Sequence, residues 1–354
     1  MKLYVGYQLR QSDDFVNHIL AHQDQIAEVY FSWDSMPSGR SIVGLQKNML
    51  PWEASQRQRQ DLRRIADAGI GLNLLLNANC YGSRSLERSF FQSVGDLIDC
   101  LRSEWNLVSV TTTSPVIGRF VRQNFEGLDV RASVNMEIGT PEGIDYLADC
   151  FDSFYARREL NRDINGLKKL RAHTNQIGKR LHMLANSGCL NYCSARQFHD
   201  NLVAHEQEIA RMDNAFTFKS ACRNFLSDPA RRRQILHLSN WVRPEDLARY
   251  EGLVDGAKIA TRTTPAPVTV LEAYASRSYS GNILDLTEPN LSDLFYPVVL
   301  NNRAFPSDFF EKRCFCGHAC EKCGYCQTIY DRVSEAVADI YMTGNDLKEE
   351  TESC

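Results

Sequence analysis

Cysteine is the residue whose number and spacing first suggest chemistry in this chain. The 354-residue sequence holds 12. Cys314, Cys316, Cys320, Cys323 and Cys326 fall within 13 residues, and Cys189 and Cys193 form a C-x3-C pair. Cys80, Cys100, Cys150 and Cys222 are spread through the main body, and Cys354 is the last residue. Clustered thiols in a reducing compartment read as metal ligands or catalytic groups rather than disulfides. Zinc and a 4Fe-4S cluster each take four thiolates. Cys189, Cys193, Cys222 and Cys80 are the candidates for one such centre; their long, uneven spacing fits either metal, with iron–sulfur preferred. In the tail, Cys320-x2-Cys323-x2-Cys326 is like a ferredoxin run. Cys316-x3-Cys320-x2-Cys323 has the spacing of radical S-adenosylmethionine enzymes, but it lies far from the first strand, where those enzymes carry it. A structural zinc or a second iron–sulfur site is expected there.

Polar residues form the second pattern, because they recur where apolar runs stop. They are Asp34; Asn77 and Asn79; Thr111 to Thr113; Asn135 and Glu137; Arg157, Arg158, Glu159 and Asn161; Asn186; and Lys258 and Arg262. If those runs are parallel barrel strands, these residues meet on the carboxyl rim, where such barrels carry their sites. Arginine forks match carboxylates bidentately, so Arg158 and Arg262, with Lys258 and Asn135, suit a small anionic ligand. Glu137, Arg158 and Glu159 are the catalytic candidates. The bland alternative is that inward Arg and Glu residues pair inside the barrel.

The elements needed to bring these residues together are legible. Apolar runs at Leu3–Leu9, Ile26–Trp33, Ile70–Asn77, Leu107–Thr112, Leu128–Ile138, Ser153–Leu160, Arg180–Ala185 and Ala257–Thr261 read as strands. Helices alternate with them: one capped by Ser12-Asp13-Asp14, then Trp52–Ala68, Ser83–Trp105, Pro115–Asn124, one begun by Thr140-Pro141, Asp163–Ile177, Ser194–Glu206 and Pro267–Ser276. Eight strand–helix units predict an α/β fold, a (β/α)8 TIM-like barrel over residues 1–282, with an insertion at about 206–256. Residues 283–354 are expected to form a Cys-rich metal-binding extension with a helix at about Ile329–Met342.

Composition sets outer limits. Hydrophobic residues are 43% and charged residues 24%, as in ordinary globular proteins. Forty Lys and Arg against 44 Asp and Glu leave a net charge of −4, which disfavours a globally basic nucleic-acid binder. No apolar run approaches the roughly 18 residues of a membrane helix, and the first residues read as a strand rather than a signal peptide. A cytoplasmic protein is expected.

Three segments resemble the peptidase U32 family, the collagenase-like proteases. Tyr155-Ala-Arg-Arg-Glu-Leu-Asn161 is similar to the family's S-R-E-L stretch. Leu184-Ala-Asn-Ser-Gly-Cys-Leu-Asn-Tyr-Cys-Ser194 is similar to its G-x-C…C-S segment. Trp241-Val-Arg-Pro-Glu-Asp-Leu247 with Ala257-Lys-Ile-Ala-Thr-Arg262 resembles its D-L…F-K-I-E-G-R segment, with Ala260-Thr261 in place of Glu-Gly. The resemblance covers residues 155–275. It implies a barrel and either the peptidase activity of the family's name or the chemistry of members in RNA modification and oxygen-independent ubiquinone hydroxylation. The latter implies a 4Fe-4S cluster, with prephenate as a suggested co-substrate.

No Ser-His-Asp arrangement or H-E-x-x-H helix is evident, and His199 and His205 fall on different helix faces. The leading expectation is therefore an iron–sulfur enzyme of redox or hydroxylation type acting on a small molecule or RNA base. The alternatives are a metal-dependent peptidase, with Glu137 or Glu159 acting on water, and a non-catalytic iron–sulfur scaffold with a protein partner subunit.

Overall fold

A computed structural model describes residues 1–12, 14–33, 36–39 and 49–337. Asp13, Asp34, Cys354 and the part of the expected tail helix beyond 337 lie outside the described residues. Eight parallel strands close into one barrel: β1 (Lys2–Gly6), β2 (Ile26–Ser32), β3 (Gly71–Leu76), β4 (Leu107–Thr112), β5 (Asp129–Ala132), β6 (Ser153–Tyr155), β7 (Arg180–Leu184) and β8 (Gly256–Ile259). Closure runs from Lys2 opposite Gly256 to Val5 opposite Ile259. This is the (β/α)8 fold expected.

Side-chain alternation along the strands separates two cores. Leu3, Val5, Val29, Phe31, Leu72 and Leu74 point outward into the apolar layer under the helices. Tyr4, Tyr30, Leu75, Tyr155 and Leu184 point inward and fill the barrel. The amino end of the interior is charged. Arg131 pairs with Glu28 and with Asp129 (2.5 Å), and Glu28 accepts from Asn73 (3.2 Å) and Ser109 (2.9 Å). These are the inward pairs of the bland reading, and they lie at the stability face of the fold.

Helices α1 (Asp14–Ala21), α2 (Pro51–Asp67), α3 (Arg88–Glu104), α4 (Pro115–Asn124), α5 (Pro141–Asp145), α6 (Ile164–Gln176) and α7 (Arg196–Ala204) fall between successive strands. Local chemistry sets several starts. The hydroxyls of Ser114 and Thr140 and the carboxylate of Asp163 accept from the third residue of α4, α5 and α6, at 3.3, 3.1 and 2.9 Å. Pro115 and Pro141 stand at first helical positions, where no amide hydrogen is needed.

The structure corrects several boundaries. The fifth and sixth strands stop early and give way to 3-10 turns, Val134–Met136 and Arg158–Arg162, because the polar side chains there bond to one another across the mouth. The expected Ser83–Trp105 helix is interrupted at Glu87, whose extended backbone separates a 3-10 turn from α3. The insertion is a chain of short helices from Glu206–Ile209 to Ile235–Leu238. The tail helix runs Tyr325–Val333 rather than to Met342. The chain then turns extended, and β10 (Ser334–Ala336) pairs antiparallel with β9 (Val298–Leu300).

The tail shares the barrel's core: Leu284, Leu291, Phe295, Leu300 and Phe309 are buried in the same apolar cluster as Leu247 and Leu271. Among the described residues no helix is long and apolar enough to cross a membrane.

Candidate active site at the carboxyl end of the barrel

A narrow cavity opens where β2, β3, β5, β7 and β8 end. Arg158, Lys258 and Arg262 line it, with Asn77, Asn135, Tyr30, Cys189 and Glu288. Asn135, Arg158, Lys258 and Arg262 are thus brought to one place, as their strand-end positions predict.

Each cation is held differently. Arg158 donates to Glu137 and, at 2.8 Å, to the Asn135 side-chain carbonyl. Arg262 donates to Ser32 (2.9 Å) and Ser38 (3.3 Å), and its guanidinium carbon lies 5.9 Å from the Tyr30 ring centroid. Lys258 Nζ sits over the same ring at 3.9 Å, and among the described residues no carboxylate forms an ion pair with it. Burial, then the charge of Arg262, pushes Lys258 down to about 7. Room for this stack comes from Gly6, where a Cβ would stand 2.7 Å from the Tyr30 ring and 2.8 Å from Arg262 Cγ.

Glu137 and Glu159 build the frame behind Arg158. Glu137 accepts from Arg158 and, at 2.6 Å, from Arg196. Arg196 reaches on to Glu159 at 3.2 Å, and Glu159 also accepts from Arg157 (3.0 Å) and the Tyr192 amide (2.9 Å). Burial opposes the Glu159 charge, but Arg196, the Tyr192 amide and Arg157 outweigh it and hold the carboxyl down to about 2. A carboxylate so held orients arginines and is a poor proton acceptor near neutral pH. Glu137 (φ 54°) and Tyr192 (φ 53°) both adopt the left-handed region that non-glycine residues rarely occupy, a strain that gathers at functional sites.

The candidate thiols do not gather in one place. Cys189, Cys193 and Cys222 line a second cavity of about 500 Å³, with Leu190, Val203, Ala210, Arg196 and His199 on its walls. Burial and then the neighbouring Cys189 and Cys193 raise the Cys222 thiol. Cys80 stands apart from these, bonded to His205. That bond and the Gly82 amide lower its pKa, and His205 Nδ1 lies 2.9 Å from Glu208. In the tail, Cys316 donates to the Arg313 carbonyl at 3.2 Å, and burial raises the Cys326 thiol. Cys323 is exposed, and Cys314 is buried against Tyr250 (3.8 Å) and the Asn161 carbonyl (3.7 Å). The one-centre set of Cys80, Cys189, Cys193 and Cys222 is therefore drawn together at three of its four members.

Among the described residues no three His, Cys, Asp or Glu side chains stand together at metal-bonding distance. Cys189, Cys193 and Cys222 nevertheless line one cavity with His199, and thiols are the donor type that a cluster would use.

Sequence reasoning misses Arg196 and Glu288. Arg196 had one signal: a cation in the first turn of a helix opposes the macrodipole and so implies a tertiary partner. Glu288 had none, since it arrives from the tail, where its carboxylate accepts from the Thr263 amide at 3.0 Å. Other strand-end residues are structural. Asn186 donates to Ala260 and Leu286 carbonyls, both at 2.8 Å, and Asn161 donates to those of Leu184 (2.7 Å) and Asn240 (3.0 Å).

No protein-family profile matches the chain. It is 26% identical over 279 residues to an uncharacterized protease, MJ1657, of Methanocaldococcus jannaschii, covering 74% of this chain and 77% of the relative. The solved structure of the U32 peptidase Mk0906 superposes with a TM-score of 0.52 at 15% identity, covering 73% of this chain and 92% of that one. That likeness shows the shared barrel fold. In sequence the chain is thus similar to a named protease, and in fold it is similar to a U32 peptidase.

Proposed function

We propose that this protein is a U32-type enzyme that binds a small carboxylate-bearing molecule in the barrel mouth, next to an iron–sulfur cluster held by Cys189, Cys193 and Cys222. One observation carries the reading: Cys189 lines both cavities, the cationic one and the thiol-lined one. A ligand gripped by Arg158, Lys258 and Arg262 therefore lies against a cluster ligand. A cluster bound there supplies one-electron chemistry, which suits the redox or hydroxylation-type reaction that the family resemblance implies. The chain's own residues bind and orient. Arg158, fixed by Glu137 and Asn135, presents its fork to a carboxylate. Arg262 and Lys258 add charge to the same cavity, and both lie over the Tyr30 ring.

A second reading, a peptidase, has one observation in its favour. Cys80, His205 and Glu208 form a nucleophile–base–orienter series, with the Cys80 thiol lowered by His205. The relative of Methanocaldococcus jannaschii is named a protease, which agrees with this reading.

One set of measurements on anaerobically purified protein separates the two. Iron and sulfide are assayed, and small carboxylates are titrated by calorimetry. The first reading expects brown protein that is bleached in Cys189→Ser and Cys193→Ser. It also expects carboxylate binding weakened by roughly 2–4 kcal/mol in Arg158→Ala, incompletely restored by Lys there. Colourless protein that cleaves peptides, and loses that activity in Cys80→Ala, would establish the second reading instead.

A further inference from the structure

Glu288 is the one carboxylate among the described residues that line the cationic cavity of the mouth, which it shares with Arg158, Lys258 and Arg262. Backbone bonds fix it there. Its amide donates to the Asn186 carbonyl and its own carbonyl accepts from the Gly188 amide, both at 2.9 Å, so it is anchored to the loop after β7. Its Oε2 accepts from the Thr263 amide at 3.0 Å, which ties the side chain to the chain leaving β8. Among the described residues no further hydrogen bond or ion pair reaches this carboxylate, so its second oxygen has no partner in the protein.

The other side-chain acceptors of the wall are already engaged. The Asn77 carbonyl accepts from the Gly39 amide (3.1 Å), that of Asn135 from Arg158 (2.8 Å), and the Ser187 hydroxyl from the Cys189 amide (3.3 Å). The wall thus offers a ligand two things: cations, which suit a carboxylate, and Glu288, which needs a donor. The cavity is small, about 50 Å³. At roughly 10–15 Å³ for one water, it admits the head of a molecule: a carboxylate and the carbon that bears it, with one substituent. The donor must then stand on that carbon. An ammonium there would add a further cation beside Arg158, Lys258 and Arg262, and like charges repel in a buried site. A hydroxyl adds no charge, and its oxygen can accept from Lys258 while its hydrogen goes to Glu288.

We propose that Glu288 selects the ligand of the mouth, and that this ligand is an α-hydroxy carboxylate, its carboxylate held among Arg158, Lys258 and Arg262 and its hydroxyl donating to Glu288. Resting on the proposed carboxylate site, this role adds the class of acid to it. A plain carboxylate in the same place leaves the Glu288 oxygen unsatisfied and meets its negative charge without compensation, so it binds less tightly.

The test is calorimetric titration of the full chain with glycolate, propionate and glycine. These acids have equal numbers of heavy atoms and carry a hydroxyl, a methyl and an ammonium on the carbon beside the carboxylate. Glycolate is expected to bind about tenfold or more tightly than propionate, and glycine no better than propionate. Glu288→Met should abolish the preference while propionate affinity holds or rises, because a repelling charge has gone; a residue that merely propped the loop would weaken all three alike. Glu288→Gln keeps an acceptor oxygen without the charge and should retain part of the preference, which serves as the reading if the Met variant does not fold. Arg158→Ala should weaken glycolate and propionate together. Equal affinity for glycolate and propionate with both weakened in Arg158→Ala, a preference for glycine, or a glycolate preference that survives in Glu288→Met would overturn the role of Glu288 and leave the cationic site standing. No binding of any of the three, or binding indifferent to Arg158→Ala, would overturn the cationic site and this role with it.

Discussion

Lys258 shows how position changes what a residue does. An exposed lysine is charged at every physiological pH, but this one is buried over Tyr30 beside Arg262 and sits at about 7. Its folded value lies below the unfolded one, so its positive charge appears only as pH falls through 7. Carboxylate affinity at the mouth should therefore rise between about pH 8 and about pH 6, since protonation adds a third cation to the cavity. Calorimetric titrations across that range check this. Lys258→Met should flatten the profile while Arg158 and Arg262 keep residual binding. A wild-type profile already flat would mean that Lys258 does not face the ligand. Arg158 carries the complementary lesson: its partners Glu137 and Asn135 both lie in the turn after β5, so its fork is aimed before any ligand arrives.

At the scale of elements, the loop after β7 does most to assemble the site. Asn186 ties that loop to β8 and to the 282–288 segment, and Gly188 lets the tail backbone approach. A Cβ at Gly188 would stand 2.2 Å from the Pro289 carbonyl oxygen, a backbone atom that cannot swing away. Gly188→Ala should cost roughly 1–3 kcal/mol in urea unfolding and lower carboxylate affinity, because Glu288 and Cys189 flank the clash. Unchanged stability would mean that the segments part without consequence. Elements with strong local signals were legible beforehand: β4, α4 and the Pro267–Ser276 helix match their expected bounds residue for residue. The ends of β5 and β6 were not: an apolar–polar alternation runs on past Ala132, and apolar Leu160 follows Tyr155 without a turn residue between. What stops those strands is the contact between Arg158 and Asn135, residues 23 apart.

For the molecule as a whole, the tail is part of the barrel's core rather than an appendage. Phe309, Phe310, Ile329, Tyr330 and Val333 are buried in the main apolar cluster, and Arg313 pins residues 236–241. Removing residues from 309 onward should destabilise the entire chain by several kcal/mol, at roughly 1.5–3 kcal/mol per large side chain. It should also disturb the Cys189 loop, which hangs on the same segment. Thermal unfolding followed by circular dichroism tests this. A truncated chain that melts like the full one would restore the picture of a separable extension.

By itself the sequence determined the barrel, the strand ends at which polar residues gather, and the meeting of Asn135, Arg158, Lys258 and Arg262 at one cavity. Strand and helix periodicity are local, and the carboxyl rim follows from topology once eight alternating units are counted. Only the tertiary structure decided which thiols share a cavity, that Cys80 pairs with His205 and Cys314 with the core, and that Glu137 and Glu159 orient arginines. It also decided that Glu288 comes from the tail to line the mouth. Those outcomes depend on contacts between residues tens to hundreds of positions apart. Cysteine spacing carries no information about which of several distant thiols the folded chain will bring together, and charge along the chain does not say which ions will be buried facing each other.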